Sequence, residues 1–164
     1  MKVVVADTGA IISLIHIGQI ELIEKIFGDF YIAKAVWIEL NNYDNPFFDR
    51  SMLERLKPRV KEIQSKNRLS LIMDYGESES AILYDEINAD YLLIDDNKAR
   101  IVAESLEINC IGTLGLLLKA NQKGLIAELK PIFEELMKVG RFFSRKLLNA
   151  ILAQLGEDSL AERS

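Results

Sequence analysis

The segment at residues 2–9, KVVVADTG, contains the pattern that decides the fold. Its run of valines at 3–5 is typical of a strand buried on both faces of a sheet. Asp7 follows this run directly, and residues 10–17 have the apolar spacing of a helix. The segment therefore predicts a buried strand, an acidic residue at its end and a helix that begins almost at once.

The same alternation continues along the chain. Apolar runs typical of strands alternate with segments of helical spacing, which indicates a parallel sheet covered by helices on both faces. Strands are predicted at 2–6, 30–32, 69–73, 91–94 and 109–111, with 69–73 as a short edge strand. Helices are predicted at 10–17, 20–27, 35–40, 76–87, 97–106 and 113–122. We therefore predict an α/β protein with a central parallel sheet of about five strands.

The C-terminal part has a different pattern. From residue 125 onward no strand signal remains, and apolar stripes at 129–137 and 147–155 predict two helices. No long linker divides the chain, so we predict one domain at 1–155 that includes a helical extension at 125–155 packed on it. Residues 156–164 are predicted to form a polar tail. The two stripes could cover the sheet of the monomer or form an interface between two copies.

Composition narrows the class of protein. The chain has 164 residues, of which 49% are hydrophobic, enough for one core without disulfides. Its single cysteine, Cys110, cannot form an internal disulfide, which is typical of a protein in a reducing compartment. We expect it to be a small buried residue with a structural role. The net charge of −5 disfavours a general nucleic-acid coat but does not exclude a nuclease with a local basic patch. With no export signal and no apolar run near the roughly 20 residues of a membrane span, a cytoplasmic protein without membrane contact is predicted.

Acidic residues follow two of the predicted strands. Asp7 ends the first strand, and Asp95 and Asp96 end a later one. Ligands of parallel sheets bind in the crevice at the carboxyl ends of the strands. Carboxylates that meet there repel each other unless a cation lies between them, and Mg²⁺ or Mn²⁺ prefers such oxygen ligands. The ordinary alternative for any single Asp in this position is a helix N-cap.

Four segments resemble the motifs of PIN domains. They are VVVADTGAII at 3–12, VWIEL at 36–40, GESESAI at 76–82 and LLIDDN at 92–97. Together with IGTLG at 111–115, they are most similar to a PIN-like subgroup of archaea and bacteria that is often described as predicted nucleic-acid-binding proteins. The resemblance covers about residues 1–155. It implies a three-layer PIN-like fold with a C-terminal helical extension.

The resemblance also implies an activity. PIN domains of this kind are metal-dependent ribonucleases that use Mg²⁺ or Mn²⁺, as in the toxins of prokaryotic toxin–antitoxin pairs, and they cleave single-stranded or structured RNA. The catalytic acids implied here are Asp7, Glu39, Glu77 and Asp95. Two positions depart from the usual toxin pattern. At the third motif Glu77 and Glu79 compete, and at the fourth Asp95 and Asp96 compete, so all six acids remain candidate metal ligands.

Basic residues near these motifs are candidates for binding phosphates. Lys98 and Arg100 open a helix just after the acidic pair, and Thr8 follows the first Asp. The cluster at 57–68 has five basic residues and one acid, and it fits either a phosphate site or a solvated surface. His16 lies in an apolar stripe, which favours a structural role over a catalytic one.

Two other classes of protein were weighed. The first is a non-catalytic PIN-like module that binds nucleic acid or protein. The second is a phosphoryl-transfer domain, but Gly9 stands where a dehalogenase-type site needs a second Asp, and residues 111–112 stand where a receiver needs a lysine. The expected partners are RNA, a small antitoxin protein and a second copy of the chain.

Overall fold

Five parallel strands form the central sheet. The computed structural model describes residues 1–141 and 143–162 of the chain. The strands are β1 (Lys2–Ala6), β2 (Gly28–Ala33), β3 (Val60–Lys61), β4 (Tyr91–Leu93) and β5 (Cys110–Ile111). Their order in the sheet is β3-β2-β1-β4-β5, and neighbouring strands run parallel. The predicted α/β fold with about five parallel strands is confirmed.

Strand β1 lies at the centre of the sheet. Its residues Val4, Val5 and Ala6 have no exposed surface, as expected for a strand paired on both sides and covered on both faces. The chain runs from β1 to β2 and β3 on one side, then returns to β4 and β5 on the other. Such a reversal opens a crevice beyond the carboxyl ends of the two strands where it occurs, here β1 and β4.

Helices cover both faces of the sheet and complete a three-layer fold. They are α1 (Thr8–His16), α2 (Leu22–Phe27), α3 (Lys34–Asn42), α4 (Met52–Leu56), α5 (Tyr75–Glu86), α6 (Asn97–Ser105), α7 (Thr113–Gln122), α8 (Lys130–Lys138) and α9 (Arg145–Gln154). Helices α3 and α5 pack together, and α5 contacts β1, β2 and β4. Helix α7 contacts α1 and α2, which form a second group. Within the described residues, no helix is long and apolar enough to cross a membrane.

The C-terminal helices bury their apolar stripes within the monomer. Helix α8 contacts α1 and fully buries Phe133 and Leu136, and α9 fully buries Leu148 and Leu152. Burial of this kind accounts for most of both stripes without a partner chain, although Leu147 is 49% exposed. It leaves the predicted homodimer without support from these two faces.

The segment after α9 packs against the extension rather than extending into solvent. The Glu157 carboxylate accepts hydrogen bonds from the N–H groups of Leu129, at 3.1 Å, and Lys130, at 2.9 Å, so it satisfies donors at the start of α8. Leu160 is only 6% exposed. Two residues of the predicted polar tail, Glu157 and Leu160, therefore contact the extension, while the rest of 156–162 is exposed and 163–164 lie outside the described residues.

The predicted edge strand at 69–73 is wrong. Residues Leu69–Leu71 form a 3₁₀ turn, and the side chains of Leu71 and Ile72 are 88% and 63% exposed. The edge strand is instead β3, which pairs with the end of β2. An apolar run forms a strand when the sheet and its covering helices bury its side chains, and the side chains of Leu71 and Ile72 are not buried. The two residues of β3 are extended because β2 offers a pairing edge, and so short a segment carries no alternating pattern.

Candidate functional site

Asp7 lies at the carboxyl end of β1, where its backbone joins the neighbouring strand. The Asp7 N–H donates to the carbonyl of Leu93 on β4 at 2.9 Å. The side chain is only 6% exposed, and its Oδ1 atom has no hydrogen-bond partner among the described residues. An unpaired buried oxygen is costly and calls for an explanation, of which a bound ion is one.

The electrostatic environment of Asp7 opposes its ionisation. The pKa of this carboxyl is raised from 3.8 to about 7, and burial is the largest cause. The backbone N–H of Thr8 offsets part of the rise, and the negative charges of Glu77, Glu39 and Asp95 contribute smaller parts of it. Near neutral pH the protonated form is therefore populated, and a cation in the crevice would favour the charged form.

Glu39 connects three segments that are distant in sequence. One oxygen of its carboxylate accepts from the Thr8 hydroxyl, and the other accepts from the Gly76 N–H at 3.1 Å. A Cβ atom at position 76 would lie 2.6 Å from both carboxylate oxygens, closer than any tolerated contact. Glycine at 76 therefore allows the start of α5 to approach Glu39 on α3.

The two glutamates near the start of α5, Glu77 and Glu79, point in different directions. Glu77 forms a capping box with Asp74, whose N–H donates to the Glu77 carboxylate at 3.2 Å, and Glu77 lines the crevice. Burial raises its pKa, the N–H of Asp74 opposes the rise, and nearby carboxylates add to it. Glu79 instead accepts from the N–H of Ala35 at 3.1 Å, at the start of α3. Residues two apart on a helix lie about 200° around its axis, so only Glu77 reaches the crevice.

The acidic pair after β4 is divided between two helices. Asp95 accepts from the N–H and the hydroxyl of Thr113, at 2.7 and 2.6 Å, at the start of α7. Asp96 is the N-cap of α6 and accepts from the N–H of Ala99 at 2.9 Å. Both side chains line the crevice, Asp95 half-buried and Asp96 exposed. The choice between them as metal ligand stays open, and each also serves as a helix cap.

These residues surround one open cavity of about 690 Å³, which we call the acidic cleft. The residues that line it are Asp7, Thr8, Gly9, Glu39, Asp74, Glu77, Asp95, Asp96, Asn97, Lys98 and Arg141. Of the predicted site residues, only Glu79 and Arg100 do not line it. The geometry thus brings Asp7, Glu39, Glu77 and Asp95 to one cavity, while their catalytic and metal-binding roles stay predictions.

Arg141 lines the acidic cleft but is not among the residues predicted from the sequence. It follows α8, and its guanidinium donates to the Ser13 hydroxyl at 2.8 Å and to the Gly9 carbonyl at 3.1 Å. No local motif surrounds it, and it lies 132 residues from Gly9 along the chain. Asp74 and Asn97 were missed as well. Their positions at the starts of α5 and α6, helices with predicted site residues, were the only available signal.

The other basic candidates have varied surroundings. Lys98 is exposed at the rim of the acidic cleft, whereas Arg100 lies beyond Asp95 and forms an ion pair with Glu104 at 3.3 Å. Within the cluster at 57–68, Arg59 forms ion pairs of 2.7 Å with Glu24 and with Asp29. At least this member of the cluster has a structural role.

His16 takes part in an aromatic cluster away from the cleft. Its Nε2 atom lies 3.1 Å from the Tyr43 hydroxyl, and its ring packs edge-on against Tyr43 and Phe48. Burial and the charge of Arg141 lower its pKa. These contacts agree with the structural role predicted for this histidine.

The donors in the acidic cleft fit a hard divalent cation. They include several carboxylate oxygens, one of them buried and unpaired, which suits Mg²⁺ or Mn²⁺. Among the residues that the structure describes, no three Asp, Glu, His or Cys side chains lie close enough to form a complete metal-binding group. Mg²⁺ commonly keeps several waters and binds through one or two carboxylates plus substrate phosphates, so an incomplete protein shell is compatible with it.

Comparison with known proteins identifies the family of this chain. The model of the family DUF3368, described as a PIN domain, matches residues 3–157. No curated protein matches the chain. PIN domains have a nuclease-type fold, are generally nucleases and typically use divalent metals. Because the match covers nearly the whole chain and the sheet has the expected five parallel strands, this protein belongs to the PIN-domain family.

Proposed function

We propose that this protein is an endoribonuclease that depends on Mg²⁺ or Mn²⁺ and acts through Asp7, Glu39, Glu77 and Asp95. One observation supports this most strongly. The Oδ1 atom of Asp7 is buried without a hydrogen-bond partner among the described residues, and burial, with a smaller contribution from the neighbouring acids, raises the pKa of this carboxyl to about 7. A protein that used this cavity only for structure would gain stability by replacing the acid. A buried carboxylate oxygen without a partner is what a cation-binding site would contain.

The acids divide two tasks in the proposed reaction, binding the cation and orienting the attacking water. Mg²⁺ or Mn²⁺, when bound, supplies positive charge that activates water and stabilises a phosphate under attack. Asp7 and Asp95 bind the cation, and the Thr113 hydrogen bonds keep Asp95 in place. Glu77, whose pKa burial raises, orients the attacking water and is suited to hold its proton.

Glu39 and the basic residues organise the cleft around this reaction. Glu39 is held by Thr8 and by the backbone of Gly76, so its carboxylate stays beside Asp7. Thr8 thereby contributes through Glu39 rather than by direct substrate contact. Lys98 and Arg141 are the cations that line the cleft in the described part of the chain, and they offset phosphate charge near the acids.

Cleavage of a labelled single-stranded RNA with and without Mg²⁺ or Mn²⁺ tests the proposal. Asp7→Asn is nearly isosteric and removes one anionic ligand, so metal-dependent cleavage should be abolished. Asp158→Asn, which removes an exposed carboxylate near the C-terminus, is the matched control and should cleave normally. Asp95→Asn should be more damaging than Asp96→Asn if Asp95 is the ligand. Equal activity of wild type and Asp7→Asn would refute the assignment.

We further infer that the ribonuclease is the toxin of a toxin–antitoxin pair. The support is the resemblance of its acidic motifs to those of toxin ribonucleases. Induced expression in a bacterial host should then stop growth, and Asp7→Asn should relieve the arrest at equal protein levels. A small antitoxin encoded next to the gene should bind the purified chain. A homodimer is part of this proposal, and light scattering of the pure protein tests it.

A non-catalytic binding module is the second candidate. It is favoured by the engagement of Glu39 and Asp95, each of which accepts two hydrogen bonds from protein groups. These hydrogen bonds occupy part of the acceptor capacity of each carboxylate and leave less of it for a cation. If the wild-type protein binds RNA but cleaves none across Mg²⁺, Mn²⁺ and several RNA sequences, this candidate replaces the first.

A further inference from the structure

A second groove adjoins the acidic cleft on the far side of Asp95. It has a volume of about 400 Å³, and Asp95, Asn97 and Arg141 line both cavities. A polymer bound in the acidic cleft can therefore continue into this groove without leaving the surface. We call it the side groove.

The side groove has two arginines and a single acid, Asp95, whereas six acids line the acidic cleft. The guanidinium groups of Arg100 and Arg141 both line it. Arg100 uses its Nε for Glu104, and among the described residues its Nη groups have no hydrogen-bond acceptor. A Cβ atom at Gly112 would lie 3.1 Å from both Arg100 Nη1 and Asp95 Oδ1, so glycine there leaves room for both side chains. Free guanidinium N–H groups are well suited to phosphate oxygens.

The side groove also has an apolar lining. It contains Leu114 and Phe143, which are half-buried, and Leu147, which is 49% exposed on α9. An inorganic anion would gain nothing from such a lining. A nucleotide has a charged phosphate and a flat base, and bases pack favourably on aromatic and apolar side chains. Charge and apolar surface together therefore match one nucleotide.

We propose that the side groove binds one nucleotide of single-stranded RNA next to the phosphate held in the acidic cleft. Arg100 and Arg141 contact its phosphate, and Leu114, Phe143 and Leu147 contact its base. The identity of the polymer rests on the proposed ribonuclease function. The base must be unpaired to lie against the protein, so the groove selects single strands over duplexes.

Binding is measured with the full-length chain carrying Asp7→Asn, which prevents cleavage. The probe is a ten-nucleotide single-stranded RNA with a 5′ fluorescein, followed by fluorescence anisotropy over a range of salt concentrations. Arg100→Gln should weaken binding and reduce the slope of log Kd against log salt by about 0.7, the value for one lost phosphate contact on a single strand. Arg55→Gln removes an exposed arginine on α4, remote from both cavities, and is the matched control.

The base contact is tested separately. Leu147→Gln changes an exposed helix position and should weaken binding by about fivefold or more with an unchanged salt slope. Phe143→Leu is the second variant. Both should have no effect on an abasic RNA of equal length, and a duplex RNA should bind more weakly than the single strand.

Two results would overturn the proposal. One is an Arg100→Gln variant with the same Kd and salt slope as Arg55→Gln. The other is a Leu147→Gln variant that weakens intact and abasic RNA equally. If the wild type cleaves RNA and either of these results is obtained, the proposed nucleotide site in the side groove is refuted and the proposed ribonuclease function stands. If the variants bind RNA as predicted but the wild type cleaves none, the proposed ribonuclease function is refuted and the nucleotide site in the side groove stands.

Discussion

Replacing Asp7 with Asn should make the folded protein more stable above neutral pH, and the gain should disappear in acid. The pKa of this carboxyl is 3.8 in an unfolded reference and about 7 in the folded protein. Between these values the folded state binds a proton that the unfolded chain does not. The free energy of unfolding therefore rises as the pH falls from 7 towards 3.8, and it falls as the pH rises.

The magnitude follows from the two pKa values. At 1.36 kcal/mol per pKa unit, ionising buried Asp7 above pH 7 costs about 4 kcal/mol. The neutral amide of Asp7→Asn does not carry this cost. The variant should therefore gain up to about 4 kcal/mol over wild type at pH 8, and the difference should approach zero near pH 4.

Urea denaturation followed by circular dichroism from pH 4 to pH 8 measures this difference. EDTA must be present, because a bound cation would stabilise the carboxylate and hide the effect. Asp158→Asn is again the control for the loss of one negative charge. A difference between wild type and Asp7→Asn that stays constant over this pH range would show that Asp7 ionises normally, and the argument from its burial would fail.

Three further predictions concern the acidic cleft. Glu77→Gln should reduce metal-dependent cleavage strongly, whereas Glu79→Gln should retain cleavage but lower the unfolding free energy by about 1 kcal/mol, because it weakens a helix-end hydrogen bond. Denaturation and RNA cleavage measured on both variants distinguish these roles. An equal loss of activity in both would contradict the finding that only Glu77 lines the cleft. Gly76→Ala should impair cleavage because the new Cβ displaces Glu39, and normal activity would show that the approach is not needed. Mg²⁺ at 100 times its Kd should stabilise wild type by about 2.7 kcal/mol but not Asp7→Asn, and calorimetry without a melting shift would argue against a metal site.

The sequence predicts the cleft where local rules suffice. Asp7, Asp95 and Asp96 directly follow buried strands, and parallel strands end at one edge, so their meeting could be anticipated. Glu77 and Glu79 could not be separated, because that depends on how α5 is rotated against α3. Asp95 and Asp96 could not be separated either, since each caps a helix and each also lines the cleft.

Other features depend on contacts between distant segments. Strand β3 exists because β2 offers it a pairing edge, and its two residues carry no pattern of their own. The apolar run at 69–73 predicted a strand, but its side chains are largely exposed. Arg141 reaches the cleft only because α8 packs against α1. No local sequence pattern encodes such an approach.

The insertion of β1 between β2 and β4 has a consequence for the order in which a newly made chain matures. Asp7 and Glu39 leave the ribosome early, but β4 begins at Tyr91, and Thr113 must follow before Asp95 is held in place. Arg141 comes later still. A nascent chain thus carries its acids separately and hydrated, and it brings them together only after the segments that contain β4, Thr113 and Arg141 have been made. Any activity of the cleft is withheld from the translating ribosome until then.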